Sequence, residues 1–89
     1  MVTVILSHEV SDFASWKAGF DTGEDMRTSF GVKTIGVYAA VDNPNNVSII
    51  TEFPSTEAVS AMLNNPELQA SMKEAGVVGK PEVKILNKV

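Results

Sequence analysis

The chain predicts an α+β domain with the order β-α-β-β-α-β, the split-βαβ pattern of ferredoxin-like folds with a four-stranded antiparallel sheet. Three observations carry this. Strand-like alternation at Val2–Ser7, Lys33–Val41, Val47–Phe53 and Val83–Leu86 is interrupted by two helical stretches, Asp12–Phe30 and Ser55–Ala75. The two middle strands are separated only by Asp42-Asn43-Pro44-Asn45-Asn46, a cluster of turn-forming residues. The second helical stretch carries Asn65-Pro66 at its centre, which reads as a cap followed by proline at a new first helical position, so that region is expected to be split there.

In the first strand Val2, Val4, Leu6 and His8 alternate with Thr3, Ile5 and Ser7, and the more apolar set is expected to face the helices. The first helix is expected to be capped by Ser11 or Asp12 and to stop at Gly31. Phe13, Trp16, Phe20, Gly23 and Arg27 fall on one stripe of it, with Phe30 at the edge. The second strand divides into Ile35, Val37, Ala39 and Val41 against Thr34, Gly36, Tyr38 and Ala40. The third sets Val47, Ile49, Thr51 and Phe53 against Ser48, Ile50 and Glu52, and with the second it forms a hairpin. Ser55 caps the second helical region. Ala58, Val59, Met62 and Leu63 form its apolar face, continued by Leu68, Met72 and Ala75, and Gly76 ends it. The last strand sets Val83 and Ile85 against Lys84 and Leu86.

Eighty-nine residues form a single domain over positions 1–89. A chain that is 44% hydrophobic can bury a core, but a lone domain of this size is marginal. The net charge of −4 and seven dispersed basic residues argue against nucleic acid. The absence of cysteine excludes disulfides, thiolate catalysis and thiolate metal sites. One histidine and scattered carboxylates make a poor metal site, and no phosphate-binding glycine loop opens a helix; Gly76-Val77-Val78-Gly79-Lys80 ends one. No cofactor is expected. No apolar run has the length of a membrane span and no leader precedes the first strand, so the expectation is a cytoplasmic protein.

The sheet face opposite the helices would carry Thr3, Ile5, Ser7, Tyr38, Ile50 and Leu86. That is apolar for an exposed surface, and covering it with a second copy predicts a two-fold homodimer whose sheets form a shared barrel. Glu52 and Lys84 are candidates to pair across the sheet or the dimer interface.

Two segments carry a family likeness: Asp12-Phe13-Ala14-Ser15-Trp16-Lys17-Ala18-Gly19-Phe20-Asp21, and Pro66-Glu67-Leu68 through Met72 to Ala75-Gly76-Val77-Val78-Gly79-Lys80-Pro81-Glu82-Val83. They resemble small dimeric α/β-barrel proteins near the antibiotic-biosynthesis monooxygenase group, including its cyclase-labelled members. The resemblance implies a homodimer with a pocket in each protomer between sheet and helices. The activities it implies are cofactor-free oxygenation, cyclisation, lactone isomerisation or haem handling. Haem-handling members place a histidine on a helix, whereas the only histidine here is on the first strand. The likeness carries over no catalytic residue.

The residues themselves offer two candidates for chemistry. Arg27 is a cation on an aromatic stripe; it reads as a clamp for a carboxylate, enolate or phenolate, or as a long side chain snorkelling from the helix end. His8 reads as a general base, with Glu9 or Asp12 near enough in sequence to orient it, or as a strand-end histidine bonded to backbone or water. Trp16, Phe20 and Thr51 are the expected substrate-binding walls, Trp16 having core packing as its alternative. Tyr38 belongs to the opposite face, and Met26, Met62 and Met72 read as core filler. The whole reads as a small-molecule-binding homodimer, either an enzyme acting on a small carbonyl or aromatic compound or a ligand-binding, regulatory or structural dimer.

Overall fold

A computed structural model describes residues 1–74 and 76–89. Its elements are β1 (Val2–Val10), α1 (Phe13–Thr22), α2 (Glu24–Ser29), β2 (Lys33–Ala40), β3 (Asn43–Phe53), α3 (Thr56–Leu63), α4 (Pro66–Glu74) and β4 (Val77–Leu86). The strands form an open antiparallel sheet in the order β2-β3-β1-β4. This is the ferredoxin-like arrangement, in which the two crossovers place the helices on one face.

That face is set by the alternation of the central strands. On β3, Val47, Ile49, Thr51 and Phe53 are all buried, and on β1 so are Val4, His8 and Val10. Two apolar clusters sit above them. Val4, Val32, Phe53, Val59 and Met62 pack beneath α3, and Val10, Trp16, Val47 and Ile49 pack beneath α1.

Both helical regions are broken. Asp12 caps α1 by accepting from the Ser15 backbone N–H, and hydrogen bonding from Ser15 lowers its carboxyl pKa. The single helix expected over 12–30 divides at Gly23, whose N–H turns back to the Phe20 and Asp21 carbonyls, so the second segment is offset from the first. Ser55 caps α3 through the Ala58 N–H. Asn65 accepts from the Glu67 N–H ahead of α4, with Pro66 at the first helical position, so the split occurs where turn chemistry places it. Ala75 and the side chain of Leu68, expected on the apolar face here, lie outside the described residues. Gly76 has φ +89 and its carbonyl accepts from the Ser11 N–H, tying the end of this region to the end of β1. An L-residue at that φ would be strained.

The strands differ from the sequence reading in their ends and in one register, β1 itself running on to Val10 and not stopping at Ser7. The hairpin turns at Val41-Asp42, not over 42–46, because Ala40 already pairs with Asn43. A register shift then absorbs the polar run, and the Asn45 side chain accepts the Phe13 N–H at 3.0 Å, fixing the hairpin against the start of α1. In β2 a bulge at Ile35 puts Thr34 across from Thr51 and Lys33 across from Glu52, so Thr34 is on the helix side and not on the Tyr38 side. Strand β4 begins at Val77, six residues before the alternating Val83–Leu86 segment. Its first part was hidden because Gly79 and Pro81 interrupt the alternation, and the pairing with β1 shifts between Ser7 and Glu9.

Candidate functional site

His8 lies at that shift. Across β3 it pairs with Val47, but on the β4 side the ladder passes from Ser7–Glu82 to Glu9–Val78, leaving residues 79–81 opposite one histidine. Pro81 has no N–H to give the ladder and Gly79 adopts φ +75, which together open the edge here. The imidazole is directed into the helix side of the sheet, 6% exposed, and meets Trp16 edge-on with centroids 5.5 Å apart.

Arg27 approaches from α2. Its guanidinium lies 3.7 Å above the centre of the Phe20 ring, and Phe20 in turn stacks on Trp16 at 5.1 Å. The residue is only 6% exposed, so the arginine is turned inward and does not snorkel to water. One Nη donates to Glu24 Oε2 at 2.8 Å. Gly23 makes room for the other: a Cβ there would be 3.0 Å from Nη1.

The expected site residues are brought together. His8, Trp16, Phe20, Arg27 and Thr51 line one cavity of about 110 Å3 between sheet and helices, walled otherwise by aliphatic side chains and Phe53. Trp16 does both things the sequence allowed, packing in the α1 cluster and facing the cavity.

Two features make this cavity unlike a filled core. His8 Nδ1 and Arg27 Nε are buried and have no hydrogen-bond partner among the described residues. Buried polar atoms are ordinarily satisfied, since leaving one unpaired costs ~1–3 kcal/mol. Burial also holds the His8 pKa below its ordinary 6.5, the residue's own backbone opposing this in part. The imidazole is therefore neutral at pH 7, with one nitrogen bearing a lone pair. The site thus combines a permanent cation with a spare donor and a neutral imidazole, in apolar surroundings that strengthen both.

Some expectations were not met. Asp12 caps α1 and Glu9 is exposed, so neither gives His8 Nδ1 a partner. Within one protomer Glu52 and Lys84 lie on strands separated by β1 and do not pair across the sheet; Glu52 stands across from Lys33. Among the described residues no group of three His, Asp or Glu could hold a metal ion, and no helix is long and apolar enough to cross a membrane. The partner missed by sequence reading is Glu24, although its spacing of three from Arg27 on a helix was the available signal.

No protein-family model and no curated protein matches the chain. Solved structures do. A putative antibiotic biosynthesis monooxygenase from Bordetella bronchiseptica superposes with a TM-score of 0.82 at 15% identity, over 99% of this chain and 96% of that one. The chain has the fold of the antibiotic biosynthesis monooxygenases. A variant of SnoaB, a cofactor-independent oxygenase from Streptomyces nogalater, gives 0.73 at 14% identity over 98% and 91%. A NIPSNAP domain protein from Burkholderia xenovorans, itself uncharacterised, gives 0.73 at 12% over 100% and 95%. The monooxygenase fold is therefore shared across proteins of diverging sequence, and at these identities it is the fold, not the chemistry, that is common.

Proposed function

We propose that each protomer binds a small carbonyl or aromatic compound in the cavity beneath α1, with an oxyanion of the ligand, present or developing, held at Arg27 Nε. The observation that carries this is the pair of buried, unpartnered polar atoms on the walls of one cavity, His8 Nδ1 and Arg27 Nε. A ligand oxygen satisfies the arginine, and Phe20 and Trp16 provide flat faces for an apolar or aromatic body.

In the catalytic form of this reading, His8 removes a proton from a phenol or from a carbon beside a carbonyl. The C–H or O–H electron pair becomes an enolate or phenolate, His8 becomes imidazolium, and Arg27 stabilises the new oxyanion in the dry cavity. The low His8 pKa keeps the base unprotonated at neutral pH. The enolate can then be reprotonated elsewhere (isomerisation), attack an internal carbonyl (cyclisation) or react with dioxygen (oxygenation). None of these steps requires a bound cofactor, and the fold shared with a cofactor-independent oxygenase supports the last of them.

The open face of the sheet supports a homodimer. Tyr38, Ser48, Ser7 and Glu82 form one row across it, Gly36, Ile50, Ile5 and Lys84 the next, and Lys33, Glu52, Thr3 and Leu86 the third. Tyr38 is 55% exposed and Leu86 42%. The apolar centre and the charges of both signs suit a two-fold copy of the same face. Light scattering at micromolar concentration tests this; a monomer overturns it.

For the cavity the test is a thermal-shift screen of small aromatic acids, quinols and lactones on wild type and Arg27→Met, followed by turnover assays on hits with His8→Ala. A shift lost in Arg27→Met is expected; loss of turnover in His8→Ala with binding kept identifies the base. Binding without turnover makes the protein a ligand-binding module, and silence across the panel overturns the reading of a small carbonyl or aromatic ligand.

A further inference from the structure

The cavity that holds His8 and Arg27 is small. About 110 Å3 lies well below the ~300–1,000 Å3 of common ligand pockets, so it can admit a head group but not the body of a fused-ring compound. On the side of α4 only a few side chains separate it from a further space. Leu6, Leu63 and Met72 line it and also line a second, larger space of about 460 Å3 between α4 and β4. The walls of this outer cleft are Val77, Gly79, Pro81 and Val83, with Gln69 and Lys73 at its exposed rim. It exists because β4 bulges away from β1 opposite His8 and because α4 leaves the line of α3 at Asn65.

We infer that inner cavity and outer cleft are one site for an amphipathic monocarboxylate with an unbranched apolar chain. This rests on the reading of Arg27 as an anion site. The carboxylate lies at Arg27 Nε, the chain passes between Leu6, Leu63 and Met72, and its end lies along Val77, Pro81 and Val83. The polarity of the two ends fixes the direction. The inner end holds the buried cation with a spare donor, whereas Lys73 is exposed and already solvated. A ligand turned the other way would press its alkyl end on Arg27 Nε and His8 Nδ1 and leave both unsatisfied. A chain that threads between these three side chains must be narrow, and Met72 is the kind of unbranched, adaptable side chain that can move aside for one.

Calorimetric titration of the full chain with butyrate, hexanoate, octanoate and octan-1-ol tests this. Affinity should climb about fourfold for each methylene added to the acid. Octanol should bind at least tenfold more weakly than octanoate, and Arg27→Met should erase that difference. Gln69→Trp fills the exposed rim of the outer cleft without touching either apolar cluster; it should weaken octanoate while leaving butyrate unchanged. If Gln69→Trp lowers the melting temperature through loss of the Gln69–Leu63 hydrogen bond, Lys73→Trp makes the same test. Acids of every length binding alike, or octanoate indifferent to both rim variants, overturns the extended site and leaves the anion site standing. Binding of aromatic acids or lactones lost in Arg27→Met, with no binding of alkyl acids, has the same consequence. No binding by any acid, alkyl or aromatic, overturns both.

Discussion

The two apolar clusters that flank the cavity differ in what they leave unsatisfied. Beneath α3, Val4, Val32, Phe53, Val59 and Met62 pack on one another through apolar surface, all but Val59 also lining the cavity, and Val59 is completely buried. Beneath α1, Trp16 packs with Val10, Val47 and Ile49, but His8 stands against its edge and Arg27 lies on its neighbour Phe20. The first cluster stabilises the fold. The second gives up stability by burying a cation and an imidazole with unpartnered nitrogens. Local departures from good packing chemistry of this kind concentrate where a protein acts.

The largest expected effect sharpens the first half of this contrast. Phe53→Ala removes a side chain that is 4% exposed at the centre of the α3 cluster and should cost ~3–5 kcal/mol, a large share of the stability of any small domain. Urea denaturation checks it; a loss under about 1 kcal/mol, as at an exposed site, would show that this cluster is not where the stability resides.

Arg27→Met probes the other half. Replacing a buried ionic group by an apolar one of similar length is often neutral or stabilising by ~1–4 kcal/mol. The lost contact with the Phe20 face offsets ~0.5–2 kcal/mol of that. Glu24, 57% exposed, regains water and leaves no buried charge behind. The expected result is a protein as stable as wild type or more so, by up to ~2 kcal/mol, that no longer binds anions. A destabilised variant would mean that Arg27 is structural and would break the comparison.

His8 gives a pH signature to the α1 side alone. Its folded pKa lies below 6.5, so as pH falls through 6.5 the unfolded chain takes up the proton first. Stability therefore rises with pH across this window and is lost as the solution is acidified. It is the only histidine, so no other side chain ordinarily titrates there. Melting temperatures between about pH 5 and 7 should fall on acidification in wild type and flatten in His8→Gln. A slope surviving in the variant would assign it to other groups.

Much of this arrangement was legible in the chain because it depends on local rules. The strict alternation Val47, Ile49, Thr51, Phe53 gave the buried face of β3, and Asp12, Ser55 and Asn65-Pro66 gave three helix starts. The stripe Trp16, Phe20, Arg27 survived the break at Gly23, which is why the site residues meet in one cavity. What was not legible depends on partners distant in sequence. The Asp42–Asn46 run has every mark of a loop, yet Asn45 is held by the Phe13 N–H, and the chain turns earlier. The start of β4 follows from pairing with β1, which overrides Gly79 and Pro81. The outer cleft follows from that same bulge, and no periodicity encodes an empty space.

Gly23 offers the smallest and most selective effect. It is the point where α1 and α2 part, and its φ of −84 requires no glycine. Its missing Cβ matters for a different reason, the 3.0 Å approach to Arg27 Nη1. At this φ alanine is unstrained and gains ~0.4–1 kcal/mol by restricting the unfolded chain, and a displaced guanidinium costs a comparable amount of its contacts with Phe20 and Glu24. Gly23→Ala should therefore leave the melting temperature nearly unchanged while weakening the binding of any ligand that depends on Arg27. Equal losses of stability and binding would make Gly23 a packing residue. Unchanged binding would mean that the guanidinium shifts within the cavity at no cost, and that its position over Phe20 is not what the ligand reads.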